Sequence, residues 1–219
     1  MDKKELARYI DHTLLKPNIT NDQIDTLCKE ALQYNFASVC IPPYFVKRAY
    51  ENLKDSQSVN VCTVIDFPLG YDFPSAKVES IKKAMEFGAD EIDAVINIAA
   101  IKNDDWKTVR YELESMRTIT KINDKLLKII FETCYLTKEE IEKLAYTCLE
   151  FDIDYLKTST GFGTGGATLE DVKLMKSIAG DKAKVKASGG IRTQEDAIRM
   201  IEAGASRIGA SAGIKIVNG

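Results

Sequence analysis

The stretch "DYLKTSTGFGTGGATLEDVKLMKSIAGDKAKVKASGG" (Asp154–Gly190) contains one complete unit of the fold. A short run, "DYLKTS" (Asp154–Ser159), reads as a strand, with Leu156 and Thr158 on one face and Tyr155, Lys157 and Ser159 on the other. Glycines follow, and then Thr168 stands three residues before Asp171, a capping spacing that opens an apolar, helix-period run. "AGD" (Ala179–Asp181) closes that helix. "AKVKAS" (Ala183–Ser188) is the next strand, and it ends in a second glycine pair. Two strands joined through a helix run parallel, since a crossover connection returns the chain in its original direction.

The same rhythm extends in both directions. "ASVCI" (Ala37–Ile41), "VNVCTVID" (Val59–Asp66), "EIDAVINI" (Glu91–Ile98), "LLKIIFET" (Leu126–Thr133) and "RIGAS" (Arg207–Ser211) are apolar, β-branched runs, and the brief "YIDHT" (Tyr9–Thr13) after an N-terminal helical turn is a candidate eighth strand. Thr20…Gln23, Thr137…Glu140 and Thr193…Asp196 repeat the capping signal, and Pro74 opens a helix with the stripe Val78, Ile81, Ala84, Met85. No Pro/Ser-rich linker interrupts the pattern. The prediction is one domain over residues 1–219, a (β/α)8 TIM barrel with a short N-terminal helix, with an open doubly wound sheet as the competing arrangement.

Composition narrows the function classes. The chain has 219 residues, 45% of them hydrophobic, and a formal net charge of -3, so it lacks the basic excess of a general nucleic-acid binder. The start "MDKKELARYID" is too charged for a signal peptide, and no apolar run reaches the length of a membrane span. Five scattered cysteines without a C-x-x-C spacing suggest neither a disulfide framework nor a zinc site, so a reducing compartment is expected.

Lysines inside strands pose the chemical question. In a barrel, alternate strand residues face the axis and chemistry gathers at the C-terminal strand ends. Leu156 suits the helix-packed exterior, which turns Lys157 inward. Val185 and Ala187 do the same for Lys186 and Ser188, and Ile92, Ala94 and Ile96 for Asp93, Val95 and Asn97. Three strands therefore aim Lys157, Lys186 and Asp93 into one cavity. Crowding and burial both disfavour an ammonium, and a neutral amine attacks carbonyls to give a Schiff base. The iminium acidifies the neighbouring carbon, and an aspartate can shuttle the proton. Taken singly, each residue has a plainer reading, as a solvated edge lysine, a salt-bridge partner or a loop-end carboxylate.

The glycines add a second signal. "SGG" (Ser188–Gly190) and "GASAG" (Gly209–Gly213) end adjacent strands, where barrel backbones often hold phosphate, and "GFGTGG" (Gly161–Gly166) adds a third edge. The single histidine, His12, reads as a structural hydrogen-bonding residue, and no metal cluster is evident.

Together "YIDHTLLKP", "SVCIPP", "CTVIDFPLG", "GADEIDAVINI", "DYLKTSTGFGTGGAT" and "KASGGIRT" resemble the deoxyribose-phosphate aldolase family over nearly the whole chain, from Tyr9 to about Ser211. The resemblance implies a cytoplasmic class I aldolase without metal or organic cofactor. It implies reversible cleavage of 2-deoxy-D-ribose 5-phosphate to D-glyceraldehyde 3-phosphate and acetaldehyde, in deoxynucleoside catabolism. By that likeness Lys157 forms the Schiff base, Lys186 perturbs it, and Asp93 exchanges protons with an ordered water. Asp11, Thr13, Cys40 and Thr158 become pocket residues, and Ser188, Gly189, Gly190, Gly209 and Ser211 phosphate-side positions. The partners implied are small sugar phosphates and aldehydes, without nucleic acid or membrane, in a homodimer.

Two departures stand out. Some relatives carry a phosphate-holding lysine where this chain has Phe162, so backbone groups or hydroxyls such as those of Thr160 or Thr164 are expected to substitute. Some also end in a tail with a tyrosine, whereas this sequence ends "IKIVNG", which leaves proton exchange to Asp93, Lys186 and water. The rival readings are another Schiff-base sugar-phosphate aldolase and a non-catalytic phosphate-binding barrel.

Overall fold

Threonine side chains start the helices as their spacing predicts. In the computed structural model, which describes residues 1–219, Thr20, Thr137, Thr168 and Thr193 each accept a backbone N–H three residues on. For Thr20, Thr137 and Thr193 the reciprocal side-chain bond completes a capping box. Pro74 opens its helix at the first turn, where the missing N–H costs nothing.

Eight parallel strands close into one barrel in sequence order: β1 Ile10–Thr13, β2 Ser38–Ile41, β3 Asn60–Ile65, β4 Glu91–Val95, β5 Leu126–Ile130, β6 Tyr155–Lys157, β7 Lys184–Ser188 and β8 Arg207–Ala210. The open sheet is thereby excluded. Helix α1 (Lys3–Ala7) precedes β1, and α2 (Asn21–Tyr34), α3 (Val46–Leu53) and α4 (Pro74–Glu86) follow the first three strands. After β4 come α5 (Ile98–Lys102) and α6 (Trp106–Ile122). Then α7 (Lys138–Glu150), α8 (Leu169–Ala179), α9 (Gln194–Glu202) and α10 (Gly213–Asn218) follow the remaining strands.

Strands β3, β4, β5, β6 and β8 end earlier than their apolar runs suggest, because the chain turns there to build loops. Asn97 is one casualty: it lies beyond β4 and its side chain caps α5, accepting from the Ala100 N–H at 3.0 Å, and does not join the inward row. β5 likewise stops at Ile130, and Glu132 follows in the left-handed region at φ 53°.

The outward strand residues and the helix stripes form one apolar cluster of 51 buried residues, including Val39, Ile92, Ala94, Leu156, Val185 and Ala187. That continuous packing between barrel and helices carries the hydrophobic stabilisation and leaves the barrel axis free for polar groups.

Helix α4 holds a residue that its stripe did not predict. Lys77 is fully buried, donating to the carbonyls of Gly70 at 2.9 Å and Val95 at 2.8 Å. It also pairs with Asp66 at 3.0 Å and with Glu112 of α6. This one ammonium fastens the loop after β3 to the end of β4, beside the barrel mouth. Lys77→Met is therefore expected to cost about 3 kcal/mol, since it strands buried carboxylates and carbonyls together. A urea melt with an unchanged slope checks it; a loss below about 1 kcal/mol would remove Lys77 from that role.

Candidate active site

Alternation and register sort the inward residues into tiers, each drawn from every second strand, as barrel geometry requires. The lowest tier is Ser38, Glu91, Tyr155 and Arg207. The next is Asp11, Cys62, Lys128 and Lys186. The third, below Thr13, Val64, Ile130 and Ser188, is Cys40, Asp93, Lys157 and Gly209. In most barrels branched apolar residues fill such tiers; here charges do.

Those charges are closely paired. Asp93 Oδ2 accepts from Lys157 Nζ and from Lys186 Nζ, both at 2.7 Å, while its Oδ1 accepts from Lys128 Nζ at 2.9 Å. Lys186 also pairs with Asp11, and Lys128 with Glu91. Arg207 joins the two lower carboxylates, its Nε 2.6 Å from Asp11 Oδ1 and its Nη2 2.8 Å from Glu91 Oε2. Arg207, Asp11, Lys186, Asp93, Lys128 and Glu91 thus close a ring of alternating sign that returns on itself. Lys157 hangs from the ring at Asp93.

Burial opposes the charge of every member, and the pairing wins. Burial would raise the carboxyl of Asp93, but the ammonium groups of Lys128, Lys157 and Lys186 hold it well below the ordinary range. Asp11 and Glu91 are likewise held low against burial, Asp11 by Arg207 and Lys186 and Glu91 by Lys128 and Arg207. Burial would lower Lys186, yet Asp11 and Asp93 raise it above the usual lysine range. Lys186 is therefore a firmly held cation, and the Asp93 oxygen to which both lysines donate stands between it and Lys157.

A cavity of about 280 Å³ opens above this network at the C-terminal strand ends. Its floor reaches Lys157, which is 3% exposed, and Thr13, Ser188, Gly189, Gly190, Gly209 and Ser211 line it as the glycine signals predict. Gly209 belongs to the tier of Asp93 and Lys157, and a Cβ there would come within 3.2 Å of Lys186 Cε and 2.9 Å of Ser188 Cβ. Gly189 (φ 83°) and Gly166 pack backbone to backbone, since a Cβ on Gly166 would fall 2.3 Å from the Gly189 carbonyl oxygen. The Ala167 N–H donates to the carbonyls of Ser188 and Gly189 at 3.0 and 3.1 Å, tying the two glycine loops together.

Other expected residues are occupied elsewhere. Asp11 is a ring member below the cavity. Cys40 is fully buried beside its register partner Cys62, under Leu15 and Phe67. Thr158 is a clamp between β6 and β7, its hydroxyl oxygen accepting the Ser188 N–H at 3.2 Å. Thr160 lines the cavity, but its hydroxyl donates to the buried Glu132 carboxylate, and Thr164 is exposed outside it. His12 pairs with Glu30 at 2.8 Å, the structural role expected of it.

Sequence reasoning passed over Lys128, Glu91 and Arg207, although alternation in "EIDAV", "LLKII" and "RIGA" turns all three inward. It also passed over Lys16 and Arg192, which line the cavity mouth with side chains that are not paired to any other group. Both sit inside motifs quoted above, "HTLLKP" and "GGIRT". Cys40, Cys62 and Asp93 bring thiol and carboxylate donors within 4.8 Å of one another. Lys128 Nζ already lies 3.5 Å from Cys62 Sγ and 2.9 Å from Asp93, so a metal ion there would meet an ammonium in its place.

The chain matches the model of the DeoC/LacD family aldolases over residues 6–219. It is 56% identical over 215 residues to the deoxyribose-phosphate aldolase of Exiguobacterium sp., covering 98% of this chain and 96% of that one. With the enzyme of the same name from Thermococcus kodakarensis it shares 50% over 220 residues, covering 100% and 98%. Among solved structures, the aldolase QR15 superposes with a TM-score of 0.92 at 43% identity over 98% of this chain and 95% of that one. The tetrameric deoxyribose phosphate aldolase from Aeropyrum pernix gives 0.91 at 30% identity over 99% and 91%.

The pairing predicts an asymmetry in stability. Asp93→Asn leaves Lys128, Lys157 and Lys186 converging on a neutral group and is expected to cost about 3 kcal/mol, whereas Lys157→Met leaves the ring intact and costs about 1 kcal/mol or less. Equal losses in denaturant melts would contradict the ring. The three carboxylates have depressed folded values, so their stabilisation is present above the unfolded pKa near 4 and is lost as pH falls through the lower folded values. Acid melts of wild type should accordingly steepen below about pH 4, and more weakly so for Asp93→Asn.

Proposed function

This chain belongs to the DeoC/LacD family of aldolases, and we propose on that premise that it reversibly cleaves 2-deoxy-D-ribose 5-phosphate to D-glyceraldehyde 3-phosphate and acetaldehyde through a Schiff base on Lys157. The observation that carries the assignment of the nucleophile is the partner count. Lys186 pairs with Asp11 and Asp93, Lys128 with Glu91 and Asp93, and Arg207 with Asp11 and Glu91. Lys157 pairs with Asp93 alone, a carboxylate it shares with two other lysines. Four cations (Lys128, Lys157, Lys186, Arg207) meet three carboxylates (Asp11, Glu91, Asp93). The lysine with the weakest pairing is also the one at the cavity floor, where a substrate carbonyl can reach it.

The neutral amine adds to the C1 carbonyl of the open-chain sugar, and the carbinolamine loses water to give the iminium. A base removes the proton of the C3 hydroxyl as the C2–C3 bond breaks, and the bonding pair passes into the iminium to leave an enamine. Glyceraldehyde 3-phosphate departs. Protonation at C2 regenerates an iminium, and water hydrolyses it to acetaldehyde and free Lys157. Asp93 stands 2.7 Å from both Lys157 and Lys186, which suits it to hand protons between the nitrogen, a water and the sugar hydroxyl. Lys186 keeps its charge throughout and holds Asp93 in the ionised, accepting form.

The phosphate is assigned to the other side of the cavity. Gly189 and Gly190 both have positive φ, at 83° and 82°, so the loop after β7 turns tightly under the ligand. Ser211 and the unpaired side chains of Lys16 and Arg192 supply a hydroxyl and two positive charges. They take over the charge that Phe162 does not carry. No helix is long and apolar enough to cross a membrane; a cytoplasmic homodimer, as the family resemblance implies, is the proposed working form.

Reduction with borohydride in the presence of acetaldehyde is expected to add one ethyl group, mapped by mass spectrometry to Lys157. Trapping of pyruvate or dihydroxyacetone phosphate in place of acetaldehyde would favour a different aldolase of the same mechanism, and no adduct would favour a binding protein. Lys157→Ala should abolish cleavage with a near-wild-type melt. Near-normal turnover in that variant would end the assignment.

A further inference from the structure

Glu132 has no part in the chemistry described above and does not line the cavity. It is nevertheless a buried carboxylate two residues beyond the end of β5, on the strand paired with that of Lys157. Its backbone lies in the left-handed region, at φ 53° and ψ 62°, which side chains other than glycine rarely adopt. The neighbouring hydrogen bonds explain the turn. The Phe131 N–H donates to the Lys157 carbonyl at 2.9 Å, and the Thr133 N–H to the Thr158 carbonyl at 3.0 Å. One chain advances by two residues where the other advances by one, so Glu132 is the extra residue of a bulge. Bulges re-aim a side chain, and this one sends the carboxylate to the loop after β6.

Both carboxylate oxygens are spent on a single residue of that loop. Oε1 accepts the Thr160 N–H at 3.2 Å, and Oε2 accepts the Thr160 hydroxyl. The hydroxyl oxygen in turn accepts the Phe162 N–H at 3.0 Å. The loop also lies directly on the carboxylate, since a Cβ on Gly163 would come 3.0 Å from Glu132 Cδ. Thr160, Gly161 and Phe162, which these contacts arrange, all line the cavity.

The contact passes on to the glycine turn after β7. A Cβ on Gly189 would meet Gly161 Cα at 3.4 Å and Ser159 Cβ at 3.5 Å, so that turn rests against the loop after β6. The Ala167 N–H fastens the far end of the loop to the carbonyls of Ser188 and Gly189. Glu132 fastens the near end.

We propose that Glu132 is a positioning residue that latches Thr160 from outside the cavity and, through the loop after β6, holds the Gly189–Gly190 turn in the shape that receives the substrate phosphate. The inference rests on the assignment of the phosphate to the glycine turns and deepens it. Lys157 is held independently of the latch, its carbonyl by the Phe131 backbone and its amine by Asp93. Loss of the latch therefore impairs recognition of the phosphate and spares imine formation.

Three substitutions isolate the latch. Glu132→Gln turns one of the two acceptor sites into a donor, so the Thr160 N–H and hydroxyl can no longer both be answered. Thr160→Val removes the hydroxyl and strands a Glu132 oxygen and the Phe162 N–H together. Thr160→Ser keeps both donors and serves as the rescue.

The experiment measures kcat and KM for deoxyribose 5-phosphate and for unphosphorylated deoxyribose, with the rate of borohydride trapping of acetaldehyde on Lys157 alongside. Glu132→Gln and Thr160→Val should each lower the kcat/KM preference for the phosphorylated sugar about tenfold, chiefly through KM, as one lost buried hydrogen bond would. The double variant should lose no more than either single one, because both break the same contact. Trapping should stay within about twofold of wild type, and Thr160→Ser should keep the wild-type preference. An unchanged preference in Glu132→Gln and Thr160→Val, or an equal fall for both sugars and for trapping, would reduce Glu132 to packing and overturn the inference. Should Glu132→Gln not fold, Thr160→Val against Thr160→Ser decides it alone. A wild type with no preference for the phosphorylated sugar would instead defeat the phosphate reading beneath it.

Discussion

One carboxylate organises this protein's interior. Asp93, itself fully buried, receives three lysine ammonium groups at 2.7 to 2.9 Å. Ions so buried persist only when every charge is answered, because the desolvation penalty of each exceeds what a single imperfect contact returns. The barrel answers them by routing the pairs through Glu91, Asp11 and Arg207 until the chain of contacts closes. What is left over is a single positive charge, and the topology leaves it on the lysine nearest the opening.

This arrangement explains a division of labour in the fold. Hydrophobic stabilisation resides almost wholly in the layer between strands and helices, where the 51-residue cluster lies. The axis of the barrel is thereby released from its usual packing duty and holds charged groups at fixed separations. Rigid strands, and not loops, carry Asp93, Lys157 and Lys186, so the Lys157 nitrogen is held by the backbone register Lys157↔Lys186 and Asp93↔Lys128. Loops do the complementary work. Glycines in the segments after β6 and β7 let two backbones approach closely, and the Lys77 hub fixes the segment after β3.

Much of this was legible from residue order. Threonine caps, glycine stops and β-branched runs marked eight strand–helix units, and the barrel forms from all eight. Alternation turned Asp93, Lys157 and Lys186 inward, as found. It failed for Asn97, where the strand had already ended and the side chain satisfied an orphan helix N–H instead. The same rule, applied to "LLKII" and "RIGA", reaches Lys128 and Arg207; a charged residue in an apolar run was passed over because its partners lie on other strands.

The sequence by itself determined the barrel and the inward direction of Asp93, Lys157 and Lys186, because periodicity and capping are local properties that a few neighbouring residues express. Only the tertiary structure decided how the charges share one another. Two lysines that alternation leaves facing each other prove to be separated by a common carboxylate, and one of them is locked by a second carboxylate from the first strand. Ion pairs between residues as far apart as Asp11 and Arg207 depend on the closure of the barrel. Closure is a property of all eight strands at once, and no short stretch of chain contains it.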